Sequence, residues 1–170
     1  MSKKEKIFLE NLLELGYYND INKIRRFMTN YKLSQKRIRK LANNKNIYLD
    51  WHNISRNQRL SGEFIYEFKD RVDWDMISIH QDLSETYIRV FADRVNWRLV
   101  SRYQKLSEDF IMEFKNKVDW EMITRYQDIS EKFILNNYRK VVWYWIVNDK
   151  SNKYDKEFIE KFKKKVGWYK

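Results

Sequence analysis

The chain has 170 residues, with 35 Lys and Arg against 24 Asp and Glu, a formal net charge of +11, no Cys and no Pro. That length suits one domain with a core of its own, and the missing thiols exclude disulfides, Cys-ligated zinc, iron–sulfur clusters and thiol nucleophiles. Three Gly and no Pro argue against a strand-rich fold, which uses both residues at its turns.

In chain order, residues 4–15 (KEKIFLENLLEL) read as an amphipathic helix ended at Gly16. Glu5, Glu10 and Glu14 inside its apolar stretch are wrong for a secretory signal. A second helix is expected from Asn19 or Asp20 to about Thr29. Leu33-Ser34 with Ile38 and Leu41 then reads as a degenerate copy of a helix that recurs downstream, followed by an Asn/Lys-rich insertion at Asn43 to Asn46.

From Trp51 the pattern becomes regular. Trp51, Trp74, Trp97, Trp120 and Trp143 are each 23 residues apart. Counting from Trp as offset zero, apolar residues recur three positions on (Ile54, Ile77, Val100, Ile123, Ile146), and Gln58, Gln81, Gln104 and Gln127 recur at seven. Leu60, Leu83, Leu106 and Ile129 follow, each preceding a Ser (Ser61, Ser84, Ser107, Ser130), and then the pairs Phe64-Ile65, Tyr87-Ile88, Phe110-Ile111 and Phe133-Ile134. Such periodicity marks a repeat architecture. Each unit reads as two short helices. Asp73 or Asp119 caps helix A, while Ser at offset ten caps helix B, with Glu85, Glu108 or Glu131 in the first turn. A cation (Arg71, Arg94, Lys117, Lys140, and Lys165 in the last unit) is expected in the last turn of helix B, where the helix dipole favours it.

One such hairpin cannot bury its own apolar face, so the units must stack. The expected fold class is all-α: an α-solenoid of about five 23-residue hairpins over residues 51–170, with an atypical basic helical cap over residues 1–50, in one continuous domain. The final unit retains Phe158-Ile159, Phe162, Val166 and Trp168 but carries two extra residues near Asn152.

The phrase LSEDFI…F…VDW…I…YQ.LSE.FI resembles a short tandem helical repeat of proteins from phages, bacterial mobile elements and giant DNA viruses. The resemblance covers residues 51–142 well and 143–168 loosely. It implies an α-solenoid and transfers no catalytic residue.

The charge lies outside the repeats. Residues 51–142 hold fifteen basic and fifteen acidic side chains, whereas residues 1–50 hold twelve and five and residues 143–170 hold eight and four. Between positions 21 and 49 no acid interrupts Lys23, Arg25, Arg26, Lys32, Lys36, Arg37, Arg39, Lys40 and Lys45. Asymmetry of this kind points to an anionic partner such as nucleic acid or an acidic protein face. This segment can be drawn as a helix–turn–helix, with Ser34 capping its second helix, or as a decayed repeat.

Other candidates have plainer alternatives. The Trp ladder is a base-stacking platform or, more in keeping with solenoid periodicity, a set of plugs at the hairpin joints. The Gln ladder reads as amides closing the loop between helices A and B. Arg102-Tyr103 and Arg125-Tyr126, with Arg56 and His80 as partial equivalents, form an interface candidate or a solvated face. The run VVWYWIV is a joint to the last hairpin or an exposed dock.

No Gly-rich phosphate loop, HExxH or nucleophile elbow is present, so no catalytic residue, metal ligand or cofactor is expected. The functional expectation is an interaction protein, phage or mobile-element encoded and acting in the cytoplasm of a bacterial host. On the resemblance to those repeats of phages and mobile elements, it would bind and inhibit a host nucleic-acid-handling complex in the manner of an anti-CRISPR protein. The alternative is direct DNA or RNA binding by the basic N-terminal helices.

Overall fold

The computed structural model describes residues 7, 26, 28–45, 47–148 and 153–167. Lys23, Arg25, Asn152 and Trp168, and nearly all of the two helices expected before Thr29, lie outside them. Among the described residues the chain is all-helical. Its helices are α1 (Gln35–Ala42), α2 (Trp51–Asn57), α3 (Gly62–Glu67), α4 (Trp74–His80), α5 (Glu85–Val90), α6 (Trp97–Tyr103), α7 (Glu108–Glu113), α8 (Trp120–Tyr126), α9 (Glu131–Asn136), α10 (Trp143–Val147) and α11 (Lys156–Val166). The chain divides into two compact units, Met1–Leu83 and Ser84–Lys170. The boundary falls within the 74–96 repeat, leaving α4 in the first unit and α5 in the second.

Each helix starts where its polar cap dictates. The side chains of Ser61, Ser84, Ser107 and Ser130 accept from the backbone N–H three residues on, and Asp50, Asp73, Asn96 and Asp119 do the same for the Trp helices. Val142 stands in that place before α10 and makes no such bond. Within each unit successive Trp helices pack on one another, α2 with α4 and α8 with both α6 and α10. The result is an α-solenoid-like repeat whose core is one apolar layer per hairpin: Ile54, Phe64 and Ile65 in one, Val100, Phe110 and Ile111 in another, all fully buried.

Within each unit, three kinds of contact join a hairpin to the one before it. The first is the Gln ladder. Gln81 accepts from Leu60 N at 2.9 Å and donates to Ser55 O at 2.7 Å and Gln58 O at 2.8 Å. Gln127 makes the same set with Leu106, Ser101 and Gln104, and Gln58 makes it with Leu33, Met28 and Tyr31. The amide therefore closes the A-to-B loop of the preceding unit, not its own. Its Nε2 donates to two carbonyls and its Oε1 accepts one N–H, leaving no donor for reading a base.

The second contact is a small hydroxyl that the sequence reading passed over. Ser55, Ser101 and Thr124 accept from the backbone N–H of Asp73, Asp119 and Val142, which lead into the next Trp helix. Thr124 also donates to Trp120 O at 2.6 Å.

The third contact corrects an expectation. Helix B is only six residues long, so Arg71 and Lys117 follow it in a turn instead of occupying its last turn. They reach back to the preceding unit. Arg71 donates to Ala42 O at 3.1 Å and Lys117 to Ala92 O at 3.3 Å. The cation thus caps its neighbour's exposed carbonyls while lying over its own unit's indole, 4.6 Å from Trp51 for Arg71 and 5.3 Å from Trp120 for Lys140. In the longer α11, Lys163, Lys164 and Lys165 do occupy the last turn.

The indoles are half-buried lids at the hairpin joints, their rings resting on their own hairpin and the N–H of Trp74, Trp97 and Trp120 donating to the turn that ends the one before. Trp97 stacks on Phe114 at 4.9 Å and donates to Ala92 O at 2.8 Å. Trp74 and Trp120 donate likewise to Lys69 O and Lys115 O. An indole with one wet edge and one polar handle suits that position better than full burial does.

Candidate functional site

Residues 28–42 form a true member of the repeat. Gln58 reads the loop before α1 as Gln81 reads the loop before α3, and Ile38 and Leu41 are buried at the positions Ile65 and Phe68 take one unit later. α1 therefore packs into the stack as a helix B, through Ile38 and Leu41. Packing sorts the cations of this segment. Arg39 pairs with Glu67 at 2.6 Å and lies over the Phe64 ring at 5.0 Å, the arrangement Arg89 repeats with Glu113 and Phe110. Lys32 donates to Asn57 O. Both belong to the scaffold.

Lys36 and Lys40 are exposed on α1, with no acidic partner among the described residues, and Arg37 is half-buried between them. Arg26 is exposed on a helical residue upstream. The first turn of α1 contains no acid, so nothing local offsets this charge.

The second unit carries a different surface. Arg102 lies 4.9 Å from the Tyr103 ring and 4.8 Å from the Tyr126 ring. Arg125 lies 5.0 Å from Tyr126 and 3.9 Å from Trp145. The four candidates thus come together, and the structure adds Trp145. Tyr103, Arg102, Tyr126, Arg125 and Trp145 form one alternating stack across the ends of α6 and α8 and the face of α10. Tyr103 is 45% exposed and Tyr126 38%. In the first unit only Arg56 and His80 stand at the matching place. Burial pushes His80 below its usual range, and the positive charge of Arg56 adds to that.

The stack borders a cleft of about 900 Å³ lined by Tyr126, Trp145, Tyr144, Lys153 and Tyr154. Lys153 pairs with Asp128 at 2.7 Å. Burial works against the Lys153 ammonium, but the Asp128 bond and the Tyr154 hydroxyl outweigh it and hold its pKa above the ordinary value. Asp128 is correspondingly held low by its bond to Lys153. The VVWYWIV run packs against the last hairpin and leaves one ring outside. Val141 and Ile146 are buried and Trp143 stacks on Phe162 at 3.3 Å, while Tyr144 is 60% exposed.

His52 and Asp73 form a separate pair, with Nδ1 to Oδ2 at 2.8 Å. Burial would raise the Asp73 carboxyl, but the His52 hydrogen bond and the N–H groups of Met76 and Asp75 outweigh it, so its pKa lies below the ordinary 3.8. A depressed carboxyl stabilises the fold above its unfolded value, and that gain disappears as pH falls through the folded value. Asp73→Ala should cost about 1 kcal/mol at neutral pH through loss of the α4 cap. The difference from the unaltered protein should shrink in thermal melts taken progressively below pH 4. A constant difference across that range would mean the carboxylate is not what stabilises this helix start.

Among the described residues no three His, Asp or Glu side chains cluster as a cation would require, and no helix is long and apolar enough to cross a membrane. No family model matches the chain, and comparisons with curated proteins and with solved structures return no match.

Proposed function

We propose that this chain is a non-catalytic interaction protein that engages a host nucleic-acid-handling complex and blocks it, working in the cytoplasm of a bacterial host. The supporting observation is the division of labour among its cations. Several cations of the stack are committed to neighbouring units, as with Arg39, Arg71, Arg89 and Lys117. Lys36 and Lys40 are left on α1 without a carboxylate partner, and such a face suits an anionic surface. The anti-defence character rests on the resemblance of the LSExFI…VDW…I…YQ pattern to repeats of phages, mobile elements and giant DNA viruses. Direct DNA or RNA binding through α1 is the second reading, favoured by the same exposed lysines.

The test is the triple reversal Lys36→Glu, Arg37→Glu and Lys40→Glu, with Arg39 kept because it bridges to Glu67. The melt should move little, while capture of the partner from host lysate should fall at least tenfold. Binding that persists undiminished would remove α1 from the functional surface. Nuclease treatment of the captured material separates the two readings. A protein partner retained after digestion supports the blocking of a complex, and release of everything bound supports direct nucleic-acid binding. In the second case each lost phosphate contact should lower the slope of log affinity against log salt by roughly 0.7–0.9.

A further inference from the structure

We propose that the cleft beside the Arg–aromatic stack of the second unit binds a nucleotide unit, an exposed base with its phosphate. Tyr144 would take the base face and the Arg125 edge the phosphate. The assignment does not depend on α1.

Three observations support it. First, Arg102 and Arg125 are held by rings against their faces, and no carboxylate occupies their edges among the described residues. Their neighbours Arg89 and Arg98 are instead paired, with Glu113 at 2.7 Å and Asp119 at 3.2 Å. A guanidinium clamped face-on keeps its N–H fork pre-organised for an oxyanion. Second, the last repeat breaks its own pattern where it meets the cleft. The position after Trp is His52, Asp75, Arg98 and Glu121 in the earlier units and Tyr144 in this one. The next position is Asn53, Met76, Leu99 and Met122, and then Trp145. Tyr144 stands edge-on to Trp145, 4.9 Å away at 84°, and is 60% exposed, so packing does not account for it. Third, the cleft has the size of a ligand site and combines rings with Arg125, its Lys153 being paired with Asp128 in the same lining. An exposed ring beside a guanidinium is how single strands are held without sequence preference, the ring giving a base a face to stack on.

The experiment uses fluorescein-labelled twelve-nucleotide A and T strands, their duplex, AMP and polyglutamate against the full chain. Fluorescence anisotropy is read at two salt concentrations. Single strands should bind more tightly than the duplex, whose bases are stacked away. Arg102→Ala with Arg125→Ala should weaken strand binding at least tenfold and flatten its salt dependence. Tyr144→Leu should weaken it about tenfold and Tyr144→Phe leave it nearly unchanged, because the ring and not the hydroxyl is the platform. Thermal melts of each variant verify folding, and Tyr144→Ser, at an exposed position, provides a second loss-of-ring variant that cannot disturb the core. The triple reversal on α1 should leave cleft binding in place, so the two proposals fail separately. Displacement of the strand by millimolar AMP would identify a free nucleotide as the source, and binding by strands alone would identify single-stranded nucleic acid. Equal binding of duplex and strand with no effect of Tyr144→Leu or Tyr144→Ser overturns the proposal. So does equal affinity for polyglutamate, or no binding at all.

Discussion

Gln81→Leu should destabilise the protein by on the order of 3–5 kcal/mol, a large share of the roughly 5–15 kcal/mol that holds a domain together. The substitution nearly preserves volume, so little of the loss comes from packing. It arises because Leu60 N–H and the carbonyls of Ser55 and Gln58 lose their partner inside a site where Gln81 is only 6% exposed. A buried donor or acceptor left unpaired costs about 1–3 kcal/mol. Gln81→Glu should do no better, since a carboxylate cannot donate to two carbonyls. The cap substitution Ser84→Ala sets the scale for an ordinary polar loss at about 1 kcal/mol. Urea denaturation of the three variants decides the matter. A Gln81→Leu midpoint close to that of Ser84→Ala would show that water enters the loop and replaces the amide.

Phe110→Ala should cost about 3–5 kcal/mol, as truncating a fully buried aromatic does. Trp97→Ala should cost less, about 2–3 kcal/mol, although the residue is larger. Phe110 is 0% exposed and stacks with both Phe114 and Trp97, at 4.7 Å and 6.3 Å, so its removal opens a cavity beneath the lid. Trp97 has one face in solvent under Lys117, and its removal uncovers a surface that water can reach. The ranking reverses the expectation from sequence alone, which made the Trp ladder the main plug of the joints. Denaturant midpoints with Trp97 the more damaging would restore that expectation.

The existence of the hairpins and their start points was legible because Ser, Asp and Asn caps act within three residues of themselves, where sequence is a direct guide. The partners of Gln81 and Arg71 were not. In a 23-residue repeat, every unit offers the same atoms at the same offset. Periodicity alone therefore cannot say whether a side chain serves its own unit or the one before. The same ambiguity hid the stack, since Arg102 reaches Tyr126 only when adjacent Trp helices lie in register. Ser55 and Ser101 escaped notice because a small residue beside a buried Ile or Val reads as filler, and only the distant N–H gives the hydroxyl its purpose. Within VVWYWIV, residues pointing inward and outward share one hydrophobic label, so Tyr144 could not be told from Trp143.

The direction of the Gln contacts sets an order of events during synthesis. Each amide closes a loop already made, so the loop at 55–60 stays open until Gln81 has left the ribosome, and the loop at 101–106 waits for Gln127. At ordinary elongation speeds that interval lasts about one to five seconds per repeat. The newest hairpin on a growing chain is therefore always the unfinished one, and its unpaired loop is the place where a chaperone or protease would find purchase. A ribosome stalled late in the message would leave one open loop at the growing end, with the closed repeats behind it.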